Sequence, residues 1–476
     1  MRAFLLVDLG FGDAGKGLLT DFLVRRTGAT VVVRYNGGAQ AGHNVVTPDG
    51  RHHTFAQLGS GTFVEGVRTF LSRHVVVHPT ALLAEAAALQ AQGVGDALDR
   101  ASLSEDALVI TPFHQAAGRL RELARGAERH GTCGVGVGET VKDALERPEE
   151  AIRAGDLRDL SRLRPRLRRL RERKEEEIET LARSIQPGAA AARELAVFSH
   201  EGLLDRWLAE AARLVTLGLV VSDSTLTAWL AEAGAVVFEG AQGVLLDEWA
   251  GFHPYTTWSR CTFENALEIV TEAAPGAEVQ RIGVLRAHAV RHGPGPLPTE
   301  TEELRPAVRE HNGCGEWQGA VRYGWFDAVL ARYALDIVGP LDALALTHLD
   351  VPSRLGSWRI CAGYDDPMEL AASDLVAERT SGGLITRLAA PSDRCLALQE
   401  RLTELLRRVR PVLEDIDPTE PEVVRQTEQM LGCSVDLICR GPRAVDVACR
   451  FSSPARRIFP GGVISEGDEH QALRCQ

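Results

Sequence analysis

The run Ala3-Phe-Leu-Leu-Val-Asp-Leu9, continued by Gly10-Phe-Gly-Asp-Ala-Gly-Lys-Gly17 and by the segment Leu18 to Arg25, decides the fold class. Its first part has the length and apolar density of a buried strand and its last part has helical spacing, so the glycines occupy a strand-to-helix turn. Backbone amides in such a turn can cradle phosphate oxygens. Gly10 to Gly15-Lys16 satisfies the G-x-x-x-x-G-K part of a P-loop, but Gly17 stands where a P-loop places Ser or Thr for magnesium, which disfavours an ordinary P-loop NTPase. Asp13 would repel phosphates from inside the turn unless a metal ion screens it or it takes a proton beside them. Capping of the following helix is its plain alternative role.

Working outward, Gly37-Gly-Ala-Gln-Ala-Gly-His43 follows a strand ending at Tyr35, which sets a second glycine loop beside the first. His43 titrates near neutrality and can supply a proton to an oxygen on which charge develops, although a His after Gly can also be structural. Phe238-Glu-Gly-Ala-Gln-Gly243 ends a further strand, and Gln242 can donate and accept, which suits a purine edge or a phosphate. The strand Ala343 to Leu349 runs into Thr347-His-Leu-Asp350. A carboxylate there can accept from N1 and the exocyclic amino group of guanine, or Asp350 can serve as a turn residue before Val351-Pro352. Gly441-Pro442, after Val435 to Cys439, supplies a tight turn able to cover a base.

Further apolar runs at Thr30 to Arg34, His74 to His78, Leu108 to Thr111, Ala235 to Glu239, Arg281 to Arg286 and Trp358 to Cys361 alternate with helical stretches. The pattern predicts an α/β fold with a large, mostly parallel central sheet covered on both faces, its ligands gathered at the carboxyl ends of the strands. No internal repeat interrupts it, and the 476 residues are read as a single domain over 1–476. The charged segment at about 151–185 departs from the rest. Arg158, Arg162, Arg164, Arg166, Arg168, Arg169, Arg171 and Arg173 overlie leucines at helical spacing, and Pro165 predicts a break between two amphipathic surface helices.

A net charge of −12 argues against broad nucleic-acid binding, because a phosphate backbone needs a basic surface. Nine cysteines without a C-x-x-C pair fit free thiols in a reducing compartment. No run approaches the roughly 18 apolar residues of a membrane span, and no secretory signal pattern opens the chain. A cytoplasmic protein is expected, with neither nucleic acid nor membrane as a partner.

In order and spacing, the motifs GDAGKG, GGAQAGH, GTCGVGVG, FEGAQG, PYTT, GPGPLPTE, YGWFDAVLARYA, LTHLD and CRGP resemble those of the adenylosuccinate synthetase family over nearly the whole chain. The resemblance implies a homodimer that uses GTP and Mg2+ to phosphorylate the 6-oxygen of inosine monophosphate and then displaces that phosphate with the amino group of aspartate. By position, Asp13 resembles the base for the N1 proton and a magnesium ligand, Gly42 the backbone magnesium ligand, and His43 the acid facing the transferred phosphoryl group. Gln242 joins them in the catalytic set. Gly12, Asp13, Ala14, Gly15, Lys16, Gly17 and Leu18, with Gly42, His43 and Asn44, resemble the GTP phosphate site. His348, Leu349, Asp350, Gly441 and Pro442 resemble the guanine pocket. Asp13, Lys16, Gln40, Gly42, His43, Cys133, Gln242 and Thr257 fall on purine-nucleotide positions, and Arg147 on one that reaches the partner subunit's nucleotide.

The chain departs from the family pattern on the acceptor side. Gln40 replaces Asn, Cys133 Thr, Val135 Arg, His292 Val and His348 Lys. The aspartate-binding loop reads Gly315-Glu-Trp-Gln-Gly-Ala-Val-Arg322, in which Glu316, Trp317, Gln318 and Gly319 leave Arg322 as the remaining arginine. Aspartate held by His292 or Arg322, another amine nucleophile or acceptor nucleotide, and a GTP-binding regulator without catalysis are the readings open at this point. Retention of Asp13 with His43 speaks against the last.

Overall fold

The computed structural model describes residues 1–309, 315–367, 372–391 and 394–450. A ten-stranded sheet forms the centre. In spatial order it runs Val447–Cys449, Leu437–Cys439, Ala343–Thr347, Glu278–Arg286, Arg2–Asp8, Ala235–Glu239, Val31–Arg34, Arg68–Leu71, Ala101–Ser104 and Val220–Val221. Every neighbouring pair is parallel except the Val447–Cys449 edge, which returns antiparallel to Leu437–Cys439. Arg2–Asp8 lies between Ala235–Glu239 and Glu278–Arg286, with Leu6 opposite Glu239 and Asp8 opposite Val284. Residues from Ala3 to Val7 are no more than 1% exposed. That burial on both faces is why the run reads as continuously apolar rather than alternating.

The helices that matter for the site are α1 (Lys16–Thr27), α2 (Pro79–Gln90), α3 (Pro112–Arg125), α4 (Val137–Glu146), α5 (Leu160–Ala182), α6 (Ala189–Ser199) and α7 (Leu203–Thr216). One apolar cluster, with Leu19 and Leu23 of α1, packs against Phe4, Leu6, Val237 and Val284 of the sheet. A second lies under α2, α3, α5 and α7 and holds Leu82, Phe113, Leu167 and Trp207.

Three features differ from the sequence reading. The predicted strand Trp358 to Cys361 exists, as Trp358–Asp365, but in a separate five-stranded sheet whose neighbours Ile385–Leu388 and Arg410–Ile416 run antiparallel to it. His74 to His78 and Leu108 to Thr111 contribute only a short parallel pair, Val76–Val77 with Leu108–Val109, beside the main sheet. The arginine-rich segment is a single helix, α5, preceded by a 3-10 turn at Ala154–Arg158, not two helices broken at Pro165. Pro165 forfeits one hydrogen bond to the Ser161 carbonyl, while Leu163 and Leu167, each at most 1% exposed, anchor the helix on both sides of it. Several cations of α5 are matched within the chain: Lys174 lies 2.6 Å from Asp143 and 2.9 Å from Glu139, and Arg166 lies 2.6 Å from Asp156. Among the described residues, the cysteines are free thiols and no helix is long and apolar enough to cross a membrane.

Candidate active site

Asp8, at the carboxyl end of the first strand, organises the glycine turn. Its carboxylate accepts from the Gly10 amide at 2.9 Å, the Ala14 amide at 2.9 Å and the Lys16 ammonium at 2.8 Å. Lys16 is therefore buried in a salt bridge, and only one of its three donors is used by Asp8. The turn needs left-handed backbone at Gly12, Asp13 and Gly15, with φ of 95°, 58° and 98°. For a residue with a Cβ, as Asp13 has, that conformation is uncommon and is held by its surroundings. Thr347 Oγ1 donates to the Ala14 carbonyl at 2.8 Å, and Arg286 Nη1 donates to the Asp13 carbonyl at 3.0 Å.

Asp13 does not cap α1. The N-cap is Gly15, without a side-chain cap bond, and Asp13 Oδ2 instead lies 2.6 Å from His292 Nε2. Burial pushes the Asp13 carboxyl up, but the hydrogen bond and charge of His292, with Lys16 and Arg286 nearby, outweigh it and hold the group at about 2. Asp13 is ionised at neutral pH and its side chain stays 23% exposed.

His43 opens a hairpin, His43–Val46 with His52–Phe55, that packs on α1. A Cβ at Gly17 would lie 3.0 Å from His43 Cβ and 2.9 Å from the Asn44 carbonyl, which explains why position 17 lacks the Ser or Thr of a P-loop. The two turns are thus in contact, and both Asp13 and His43 feel the charge of Lys16. His43 Nδ1 lies 2.6 Å from Glu239 Oε1, and Glu239, fully buried, also accepts from the Ser60 amide at 2.9 Å and from the Ser60 hydroxyl. Burial lowers the His43 pKa; Glu239 opposes this, and Arg34 and Lys16 reinforce it. Glu239 itself is held at about 2, because His43, Arg34 and Ser60 outweigh its burial. The imidazole is therefore neutral in the free protein, with its Nδ1 proton assigned to the Glu239 bond. Asn44 Oδ1 is engaged within the hairpin by His52 at 2.9 Å and Thr54 at 2.7 Å.

Gln242 sits in a third turn locked to the first two. Its φ is 57°, Asn36 exchanges hydrogen bonds of 2.7 and 3.1 Å with Ala241, and a Cβ at Gly37 would lie 2.6 Å from Ala241 Cβ and 2.8 Å from Gln242 Oε1. Gln242 Oε1 and Gln40 Oε1 are buried without a partner among the described residues. Such orphan amide oxygens call for donors from a ligand. Thr257 is fixed through its amide to the Leu246 carbonyl at 2.8 Å, and Cys133 is half-buried, its thiol pushed up by burial. Arg147 is exposed at the C-terminal end of α4.

At the guanine-pocket positions, the Leu349 amide donates to the Cys439 carbonyl at 3.1 Å, joining the two segments. Asp350 does not end the strand, which stops at Thr347; it begins a short helix, Asp350–Leu355, and is ion-paired with Arg354. His348 is half-buried, 2.8 Å from Thr347 Oγ1 and edge-on to the buried His288, and desolvation holds both imidazoles neutral. A Cβ at Gly441 would come 2.6 Å from Asp446 Oδ2, and Pro442 is exposed.

Arg322 gives Nε to the Gly293 carbonyl at 2.9 Å, Nη2 to the Gly295 carbonyl at 2.7 Å and Nη1 to Glu300 at 2.6 Å, so it braces the neighbouring 293–300 segment; His292 is engaged by Asp13. Glu316 points to Arg193 of α6 at 2.8 Å. Trp317 is buried where a Cβ at Gly134 would be 2.6 Å from its ring, tying the amine loop to the glycine run that carries Cys133. Gln318 and Gly319 are half-buried, and Gly319 exchanges backbone hydrogen bonds with Gly315 at 3.0 and 3.2 Å.

Sequence reasoning missed Arg286, Glu239 as the partner of His43, and the His292 bond. Glu239 was detectable as a lone carboxylate at the end of an apolar strand; Arg286 and His292, more than 270 residues from Asp13, carried no local signal. Among the described residues no group of three His, Cys, Asp or Glu side chains could hold a metal. Asp13, a carboxylate 23% exposed on the phosphate-type turn, is a donor of the kind magnesium uses, since that ion is held by one or two carboxylates together with substrate phosphates.

The family model for adenylosuccinate synthetase matches residues 5–447. The chain belongs to that family. Its relatives include the adenylosuccinate synthetases of Desulfitobacterium hafniense, 33% identical over 93% of this chain and 97% of the relative, and of Mycolicibacterium vanbaalenii, 33% identical over 79% and 84%. Among solved structures, the fully ligated adenylosuccinate synthetase from Plasmodium falciparum superposes with a TM-score of 0.72 at 20% identity, covering 95% of this chain and all of that one. The succinoaminodeoxyadenylate synthetase of cyanophage S-2L superposes at 0.54 with 18% identity, covering 94% and 95%. The large parallel sheet is thus that of the adenylosuccinate synthetase family, and the chain is an enzyme of its GTP-dependent ligase class.

Proposed function

We propose that the protein transfers the γ-phosphoryl group of GTP to the 6-oxygen of inosine monophosphate and then joins the amino group of L-aspartate at C6, releasing phosphate and forming adenylosuccinate and GDP. The observation that carries this reading is the packing of the Asp13 turn against the His43 turn, a carboxylate and an imidazole on neighbouring amide-rich loops. Asp13 removes the N1 proton, so that negative charge moves onto O6 and makes it the nucleophile. His43, held by Glu239, donates to the transferred group as its charge grows; the arriving phosphates favour the protonated imidazole and so reverse the depression of its pKa. The turn amides and the Lys16 ammonium lie along the phosphates, and Gln242 and Gln40 accept from the purine nucleotide. Asp13 and the Gly42 carbonyl would hold magnesium, which neutralises phosphate charge when bound. Asp350, exchanging Arg354 for guanine, and the Gly441-Pro442 turn would select GTP. Arg147 would act in the partner's site, which makes the working form a homodimer in the cytoplasm.

Engagement of Arg322 and His292, together with Glu316 in the amine loop, favours a second reading in which another amine replaces aspartate. Phosphate release and the purine absorption spectrum, followed with GTP, magnesium and inosinate in the presence of aspartate or a panel of other amines, separate the two. Turnover that requires aspartate supports the first; turnover only with another amine supports the second. Nucleotide binding without turnover under any condition would overturn both.

A further inference from the structure

Away from the phosphate turn, a cleft of about 400 Å³ opens between the start of α2, the first turns of α3, and helices α6 and α7. Its volume is in the range of small-molecule sites. Trp207 forms part of its wall and is 4% exposed, and its indole N–H is buried without an acceptor among the described residues. A buried donor left unpaired is destabilising, and native structures seldom leave one without a partner. Immediately before Trp207 in the chain, Arg206 lies 3.1 Å from His200 Nε2, and no carboxylate among the described residues pairs with it. His78 adds another donor. Its Nδ1 faces the Ala81 amide at 3.4 Å and the Thr80 hydroxyl at 3.2 Å, which places the ring proton on Nε2. Arg119 and Arg193 both reach Glu194, at 3.2 and 2.9 Å, Arg193 also reaches Glu316 at 2.8 Å, and Glu210 is drawn to Arg213 at 2.7 Å, so Arg206 is the cation of the lining that no carboxylate matches among the described residues. The cleft therefore presents an excess of donors and positive charge beside an apolar wall.

We propose that this cleft is a second ligand site, for a small organic anion whose carboxylate or phosphate meets Arg206, whose acceptor atom takes the Trp207 N–H, and whose flat aromatic or heteroaromatic body lies on the apolar wall. The site is wired to the amine loop. Arg119 Nε donates to the Gly134 carbonyl at 2.8 Å and its guanidinium lies 5.3 Å from the centre of the Trp317 ring, while Arg193 reaches Glu316 at 2.8 Å. A ligand anion that competes with Glu194 for these two arginines shifts the loop that receives the amine.

Calorimetric titration of the full chain, with the active site filled by inosinate and a non-hydrolysable GTP analogue, tests the site with phenyl phosphate, benzoate and inorganic phosphate as probes. Phenyl phosphate or benzoate is expected to bind once per chain, inorganic phosphate at least roughly tenfold more weakly. Trp207→Phe, which keeps the ring and removes the donor, and Arg206→Gln are each expected to weaken the aromatic probe by about tenfold. Far-UV circular dichroism confirms that each variant folds, and the two are independent. Absence of binding, binding unchanged in both variants, or inorganic phosphate binding as tightly as the aromatic probes overturns the proposal. The titration repeated on the unliganded chain gives the same result even if the assigned substrates do not bind, so failure of the functional reading remains distinguishable. Saturating probe is expected to change the amine KM about fivefold in the unsubstituted protein and not in Arg206→Gln; an unchanged KM with intact binding overturns the coupling to the amine loop.

Discussion

Glu239 Oε1 lies 2.6 Å from His43 Nδ1, at the fully buried end of the strand next to the phosphate-turn strand. A carboxylate in that position fixes which ring nitrogen carries the proton and steadies the cation when it forms. Glu239→Gln keeps the shape and one acceptor but removes the charge that raises the His43 pKa. Steady-state kinetics of this variant are expected to show kcat reduced by roughly 10²-fold with little change in the KM for GTP, since general acid catalysis is worth at least that much. Equal losses in kcat and in GTP binding would instead point to a collapsed loop.

Gly17 gives a prediction that runs against motif logic. Gly17→Ser restores the P-loop consensus, yet its Cβ would come within 3.0 Å of His43 Cβ and 2.9 Å of the Asn44 carbonyl. The variant is expected to lose at least about tenfold in kcat, through displacement of His43, and to gain no magnesium affinity. Magnesium titration of the rate reads both quantities at once.

These two cases show which features were legible in the sequence. The Gly10–Gly17 turn, its flanking strand and helix, and the loop with His43 were readable because a buried parallel strand and the turn beyond it write their constraints into consecutive residues. Ala235–Glu239 was readable to the residue for the same reason. The strands Arg68–Leu71 and Ala101–Ser104 were not, because four-residue strands containing Arg, Thr or Ser carry no distinctive period, and their place is set by neighbours in the sheet. Long-range partners such as Arg286 and His292 at Asp13, or Arg354 at Asp350, followed only from the packing.

The proposed dimer can be tested through Arg147, which is exposed at the end of α4 beside Leu145, 65% exposed. Arg147→Ala and Asp13→Ala are each expected to reduce activity by at least 10²-fold when assayed alone. If each site borrows Arg147 from the other subunit, mixing the two variants under subunit exchange creates one complete site in every mixed dimer. Activity should then recover to about a quarter of the unsubstituted level, since a two-fold interface places the same residue in both sites. No recovery, with exchange confirmed by mass, would place Arg147 outside the partner's site.

Asp327 is the group to watch in the pH dependence of stability. It accepts from the Val329 and Leu330 amides at 3.1 Å each and from the Tyr364 hydroxyl at 2.7 Å, yet burial outweighs these bonds and raises its carboxyl to about 6. A carboxyl whose folded pKa lies above its unfolded value binds more protons in the native state between those two values, so stability falls as pH rises through that window. The window is about pH 4 to 6, and the full difference is on the order of 2–3 kcal/mol. Asp327→Asn keeps one acceptor and cannot ionise. Urea unfolding at pH 4, 5, 6 and 7 is expected to show the stability of the unsubstituted protein falling relative to Asp327→Asn as pH rises from 4 to 6, and a constant difference above that. A pH-independent difference across the whole range would mean that the carboxyl stays ionised in the native state, with its amide and hydroxyl donors outweighing burial.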